Sequence, residues 1–151
     1  MENETARGPS SRLTTDFSPA AISNLQVVIP HRTPQLTRAA LRYASRFASD
    51  LNVRIRLVDV HVVPYGVPLD EPTVNPRHVA RRLRQFVQDS TIQVSAEVIY
   101  ARDWEHGLRR ALAPGSLILI AIKRSWWRTS EKRLAARLRK VGHQVIWVES
   151  E

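Results

Sequence analysis

The chain has 151 residues, 43% hydrophobic and 25% charged, with no cysteine and a formal net charge of +9. That is enough chain for one domain with a proper hydrophobic core and too ordinary a composition for wholesale disorder. The absence of thiols removes disulfides, thiolate catalysis and sulfur-ligated zinc. No apolar run approaches the ~20 residues of a membrane-spanning helix, and the Met-Glu-Asn-Glu start lacks the basic-then-apolar order of a secretory signal; a cytoplasmic protein is expected.

Residues 1–22 are rich in Ser, Thr, Pro and charge without periodicity and read as a flexible N-terminal tail, followed by one domain over 23–151. Leu25-Gln-Val-Val-Ile-Pro is a short β-branched run suited to a strand buried on both faces. Thr33 then offers an N-cap oxygen and Pro34 takes the first helical position, where its missing N–H costs nothing. Leu36, Ala40, Tyr43, Ala44, Phe47 and Leu51 follow at helical spacing as one apolar face, with Arg38, Arg42 and Arg46 on another. Val53 to Val63 is a second strand whose first half alternates apolar residues with Arg54 and Arg56, so one face is partly wet there.

Four prolines and a glycine between Pro64 and Pro76 dictate a loop, and Asn75-Pro76 repeats the cap-then-proline start. Val79, Leu83, Phe86 and Val87 give the second helix its buried stripe. Ile92, Val94, Ala96 and Val98 alternate with Gln93, Ser95, Glu97 and Ile99 as in an edge strand with one protected face. Asp103 caps a short helix carrying Trp104, Leu108 and Leu112, which stops at Pro114-Gly115. Leu117 to Ile122 is apolar on both faces and belongs at the centre of a sheet. Ser130 is the expected cap of the last helix, whose face is Leu134, Leu138 and Val141 and whose stop is Gly142. Gln144 to Val148 is a fifth strand. The alternation predicts an α/β fold, an open parallel five-stranded sheet with helices on both faces and right-handed crossovers.

The stretches Val28-Ile-Pro-His-Arg-Thr-Pro, Arg38-Ala-Ala-Leu-Arg-Tyr-Ala and Val58-Asp-Val-His-Val-Val resemble the opening of the universal stress protein (UspA-like) family. That family begins with a strand ending Val-Pro-hydrophobic-Asp, a Ser-rich cap and an Ala-Leu helix step, then a second strand ending His-Val-hydrophobic. The resemblance covers about residues 24 to 149 and rests on element order and spacing. It implies a Rossmann-like sheet of the adenine nucleotide alpha hydrolase type, ordered 3-2-1-4-5, and a homodimer through the C-terminal strand. The ATP-binding members carry Gly-x-x-Gly after the fourth strand and Gly-Ser or Gly-Thr at the start of the last helix, because backbone N–H groups must reach phosphate without a Cβ in the way. Here no glycine lies between Gly115 and Gly142, Ala121 stands where the first loop glycine is expected, and Arg32 aligns with the family's Asp. The resemblance therefore implies a divergent member without an ATP cofactor: a non-catalytic, dimeric stress-response or regulatory module acting on an unidentified protein partner.

The crevice of such a sheet lies at the carboxyl ends of strands one and four, where the winding reverses. His31, Arg32, Thr33, Lys123, Arg124 and Ser125 are the candidates there for an anion crevice, helped by a helix N-terminus, which leaves a small-anion or nucleotide sensor as an alternative. Trp126 and Trp127, flanked by Arg124 and Arg128, form either an interface anchor, a base-stacking platform or ordinary packing; Val145 and Trp147 on the last strand are further interface candidates. Arg81, Arg82 and Arg84, and Lys132, Arg133, Arg137, Arg139 and Lys140, are the strongest basic groups. They and the net charge keep a basic dimer binding nucleic acid or another polyanion open, although no nucleic-acid-binding motif supports it. Three of the 23 basic residues are lysine, the rest arginine. The five histidines show no metal-ligand spacing, no catalytic triad can be assembled, and Asp59, inside a buried strand, needs a partner.

Overall fold

The computed structural model describes residues 25–51, 53–71, 74–88, 92–123 and 129–150; the expected tail over 1–22 lies outside them. In chain order the elements are β1 (Gln26–Pro30), α1 (Pro34–Leu51), β2 (Arg54–Val62), α2 (Pro76–Gln88), β3 (Val94–Ala101), α3 (Trp104–Ala111), β4 (Leu117–Lys123), α4 (Thr129–Lys140) and β5 (Gln144–Ser150). The strands form one sheet in the order β3-β2-β1-β4-β5, all parallel.

Hydrophobic patterning explains the order. β1 and β4, the most apolar runs, sit between neighbours and are buried over most of their length, as a central parallel strand covered on both faces must be. β1 pairs with β2 from Gln26↔Arg54 to Pro30↔Val58 and with β4 at Val27↔Leu117 and Val28↔Ile118. The sheet divides the core in two. On one face α1 and α2 bury Leu36, Ala40, Leu41, Ala44 and Leu83 against Val27, Ile29, Ile55, Leu57 and Leu119. On the other, α3 and α4 bury Leu108, Ala111, Leu134, Ala135 and Leu138 against Val28, Val58, Ile118 and Ile120.

The caps follow the sequence. The Leu36 amide donates to Thr33 Oγ1 at 3.3 Å, the Arg77 amide to Asn75 Oδ1 at 3.0 Å and the His106 amide to Asp103 Oδ2 at 2.9 Å, each satisfying a first-turn donor. Gly142, at φ 95°, ends α4: its own amide donates to the Arg139 carbonyl and the next amide, of His143, reaches back to Leu138, a Schellman closure. Gly107 has a different role. A Cβ there would lie 2.5 Å from Val60 Cγ1 and 2.8 Å from Ala101 Cβ, so α3 sits on β2 and β3 closer than any side chain at that position permits.

Several details differ from the sequence reading. Tyr43 is 38% exposed, and Leu41 and Thr37 join Leu36, Ala40 and Ala44 in the buried face of α1; the side chains of Phe47 and Leu51 lie outside the described residues. Val141 is 54% exposed because the helix has already ended when the chain reaches it. Ser130 lies inside α4, which begins at Thr129, so it is not the cap residue. β3 runs to Ala101 with Ala96 exposed, and it is covered in part on both faces: Ile92 and Val98 pack on the α1/α2 core, Ile99 on the α3/α4 core. Leu112 caps α3 rather than lying in it. Arg56, expected to face water, donates to the Ala111 carbonyl at the end of α3 and to Glu97, a cation placed at the negative end of a helix.

Candidate functional site

Two cavities open side by side at the carboxyl ends of the central strands. The smaller, about 270 Å³, lies between β1 and β4 and is lined by Arg32, Thr33, Leu36, Ala121, Ile122 and Glu131. The larger, about 440 Å³, lies beyond the end of β2 under α2 and is lined in part by His31, Asp59, His61, His78, Arg82 and Phe86. The loop between β1 and α1 separates them, and Arg32 borders both.

The smaller cavity is the reversal point of the sheet, and it holds an internal ion pair. Arg32 Nη2 donates to Glu131 Oε1 at 2.7 Å; the side chains are 34% and 14% exposed. The same guanidinium lies 4.1 Å from the centre of the Trp104 ring, within cation–π range. Glu131 belongs to the first turn of α4, where the helix dipole favours negative charge. A carboxylate of the chain itself thus stands beside the helix terminus that a bound anion would use, and the arginine expected to receive that anion is already engaged. Glu131 Oε2 is buried with no hydrogen-bond partner among the described residues.

The larger cavity is built on a different pattern. The His31 amide donates to the Val58 carbonyl at 2.7 Å, extending the β1–β2 pairing by one residue and turning the imidazole under α2. There His31 Nδ1 shares a 2.7 Å hydrogen bond with the hydroxyl of Thr37, which is 2% exposed, and its ring tilts against Phe86 at 5.4 Å. Burial pushes the His31 imidazole below its ordinary value; the Asp59 carboxylate opposes this, and Arg82 and His61 add to it. Asp59 finds the partner its buried strand requires, with Oδ2 3.3 Å from His61 Nε2. The cavity therefore presents imidazole, carboxylate and guanidinium over an apolar floor of Val79 and Leu83. Among the described residues no group of three His, Asp or Glu side chains is placed to hold a metal ion.

Of the crevice residues expected from sequence, Arg32 and Thr33 share the smaller cavity, while His31 turns away into the larger one. Lys123 ends β4 in register with Ser150. Arg124, Ser125, Trp126 and Trp127 lie outside the described residues. Val145 is 8% exposed and buried in the chain's own core, and Trp147 packs half-buried against that core; β5 is nevertheless an edge strand among the described residues, the kind of strand that can pair with another chain. Sequence reasoning missed Glu131 as the partner of Arg32 and Trp104 beneath it. The 3-2-1-4-5 order, which brings the start of α4 to the end of β1, is the signal that points to Glu131.

An open parallel sheet with its crevice at the reversal point is the doubly wound class of nucleotide-binding architecture. No protein-family model matches the chain, and no curated protein is significantly similar to it in sequence. Solved structures do match. A universal stress protein in complex with cAMP aligns at 12% identity and TM-score 0.57 over 84% of this chain and 98% of that one. A universal stress protein from Archaeoglobus fulgidus aligns at 12% identity and TM-score 0.54, covering 82% and 92%. A protein of the universal stress protein family from Burkholderia pseudomallei aligns at 20% identity and TM-score 0.55, covering 83% and 96%. The chain has the universal stress protein fold.

Proposed function

We propose that this chain is a universal-stress-protein-like regulatory module that has given up ATP at the β1/β4 crevice. In this reading it is non-catalytic and cytoplasmic, pairs through its C-terminal strand as a homodimer, and acts through contacts with a protein partner. The observation that carries the reading is the Arg32–Glu131 ion pair across the crevice. A triphosphate entering there would have to displace a carboxylate from the helix N-terminus while finding no glycine between 115 and 142 to offer unobstructed backbone amides. Its fold supports the stress-protein context, the edge position of β5 among the described strands supports strand-to-strand dimerisation, and no helix among the described residues is long and apolar enough to cross a membrane.

The test is a titration of the purified chain with ATP, ADP, cyclic AMP and inorganic phosphate, read by tryptophan fluorescence and by calorimetry. The absence of saturable binding at millimolar nucleotide, together with a sedimenting dimer, is the expected result. Saturable adenine-dependent binding would overturn the lost-site reading, and a monomer would remove the β5 pairing.

A further inference from the structure

A concentration of exposed arginines lies on the outer surface of α1 and α2, and of these the larger cavity takes only Arg82 into its lining. These two helices carry seven arginines in their sequences against one acid, Asp50. Arg38, Arg42 and Arg46 on α1 and Arg81, Arg82 and Arg84 on α2 are all exposed. Among the described residues none of them makes an ion pair. The basic clusters that the sequence placed on α2 and α4 lie on opposite faces of the sheet; α1 is the basic helix that shares its face with α2.

Three observations define what such a face fits. First, the arginines of α1 recur every four residues, about 6 Å apart along the axis, a ladder on the scale of successive phosphates in an extended strand. Second, a furrow of about 240 Å³ between the two helices is lined by Arg38, Gln85, Phe86 and Gln88, with the Arg38 guanidinium 5.3 Å from the Phe86 ring centre. It offers a planar cation held over an aromatic ring and flanked by amides. Third, among the side chains described on these two helices the one large apolar residue exposed is Tyr43 on α1. A membrane-surface helix needs apolar side chains to enter the acyl boundary, and a protein interface needs apolar or aromatic anchors. A phosphate backbone needs neither; it needs cations, and the arginine fork matches phosphate oxygens two at a time.

We propose that the α1/α2 face binds single-stranded nucleic acid by its sugar–phosphate backbone, with the strand running along the furrow between the helices. Recognition through the backbone makes binding independent of sequence and equal for RNA and DNA, and it makes affinity fall with salt as counterions are released.

The experiment uses the full chain and fluorescently labelled 20-residue oligo-dT and oligo-U, titrated from 50 to 200 mM salt. Binding of both oligonucleotides with a steep salt slope is expected. The combined substitution R38Q/R42Q/R46Q weakens it at least tenfold at fixed salt and flattens the slope by about two units, since each phosphate contact on a single strand contributes about 0.7. The matched substitution R110Q/R133Q/K140Q on the opposite face changes affinity by less than about twofold. Circular dichroism melts of both variants confirm that the fold is kept. Three results would overturn the proposal: equal losses from the two sets of substitutions, a preference of more than tenfold for one sugar, or tighter binding to vesicles of anionic lipid than to either oligonucleotide.

Discussion

The two helical layers hold the same sheet by different means. On the α3/α4 side the contact is close and cross-linked: Gly107 lets α3 approach the strands, the Arg56 guanidinium closes its far end, and Glu105 joins Arg109 within α3 to Arg137 on α4. On the α1/α2 side the approach is made by small side chains, Ala39, Ala40, Ala44 and Ala48, and neither helix makes an ion pair among the described residues; the Asp59–His61 contact under α2 lies within β2. One layer uses Glu105, Arg109 and Arg137 to tie its two helices together, whereas the arginines of the other face water. Net charge alone hid this difference, because both layers are arginine-rich.

Substitutions that act on one layer alone test the contrast. Leu138→Ala, at a site fully buried beneath α4, is expected to cost about 3 kcal/mol through lost burial and a residual cavity, measurable as the shift in the urea midpoint. Gly107→Ala is expected to cost about 2 kcal/mol: the added methyl meets Val60 and Ala101 below contact distance, and overpacking outweighs the gain in helix propensity. A neutral or stabilising result there would mean that α3 is free to lift from the sheet. Glu131→Gln is expected to cost about 1 kcal/mol or less, as a partly exposed ion pair should, while releasing Arg32; a change in tryptophan emission should accompany it, because Trp104 lies under that guanidinium. R38Q/R42Q/R46Q should leave stability within about 0.5 kcal/mol, as exposed positions that make no ion pair do.

His31 adds a pH test on the α1/α2 side. Its imidazole titrates lower when folded than the ordinary value of about 6.5, so between those two values the unfolded chain binds more protons than the folded one. Stability contributed by the neutral ring is complete above pH ~6.5 and is lost as pH falls toward the folded value. Melting temperatures measured from pH 7.5 to 5 should decline on the acid side, and His31→Gln should flatten that decline. An unchanged slope would assign it to other groups.

Element order was legible because each signal is local. Thr33-Pro34, Asn75-Pro76 and Asp103 begin helices at the predicted places, and the two most apolar runs are the central strands. Misreadings came where a periodic pattern is ambiguous at its margin: Tyr43 and Leu41 both fit a helical face, and Val141 fits the stripe of a helix that has ended before it. The sites were harder. Arg32 and Glu131 are 99 residues apart in the chain, and His31, Asp59 and Arg82 come from three elements, so no local spacing marks either group. In the smaller cavity the candidate arginine is engaged by Glu131, and a cation engaged by a carboxylate looks the same in sequence as one awaiting a ligand. The polyanion reading was attached to α2 and α4 because sequence cannot tell which face of a sheet a helix covers; topology does.

The pairing of β1 with β4 also bears on how the chain folds. β1, β2 and β3 assemble from consecutive units with α1 and α2 between them, whereas joining Val27 to Leu117 closes a loop of about 90 residues through only two registered pairs. Loop closure of that length is an entropic cost met before its contacts form, and non-local strand pairing slows folding. The first three strands with their two helices should therefore form the early unit, with β4 and β5 docking late. Amide exchange in β5 should then report on the last step to form and the first to open, which is also the edge a second copy of the chain would have to find.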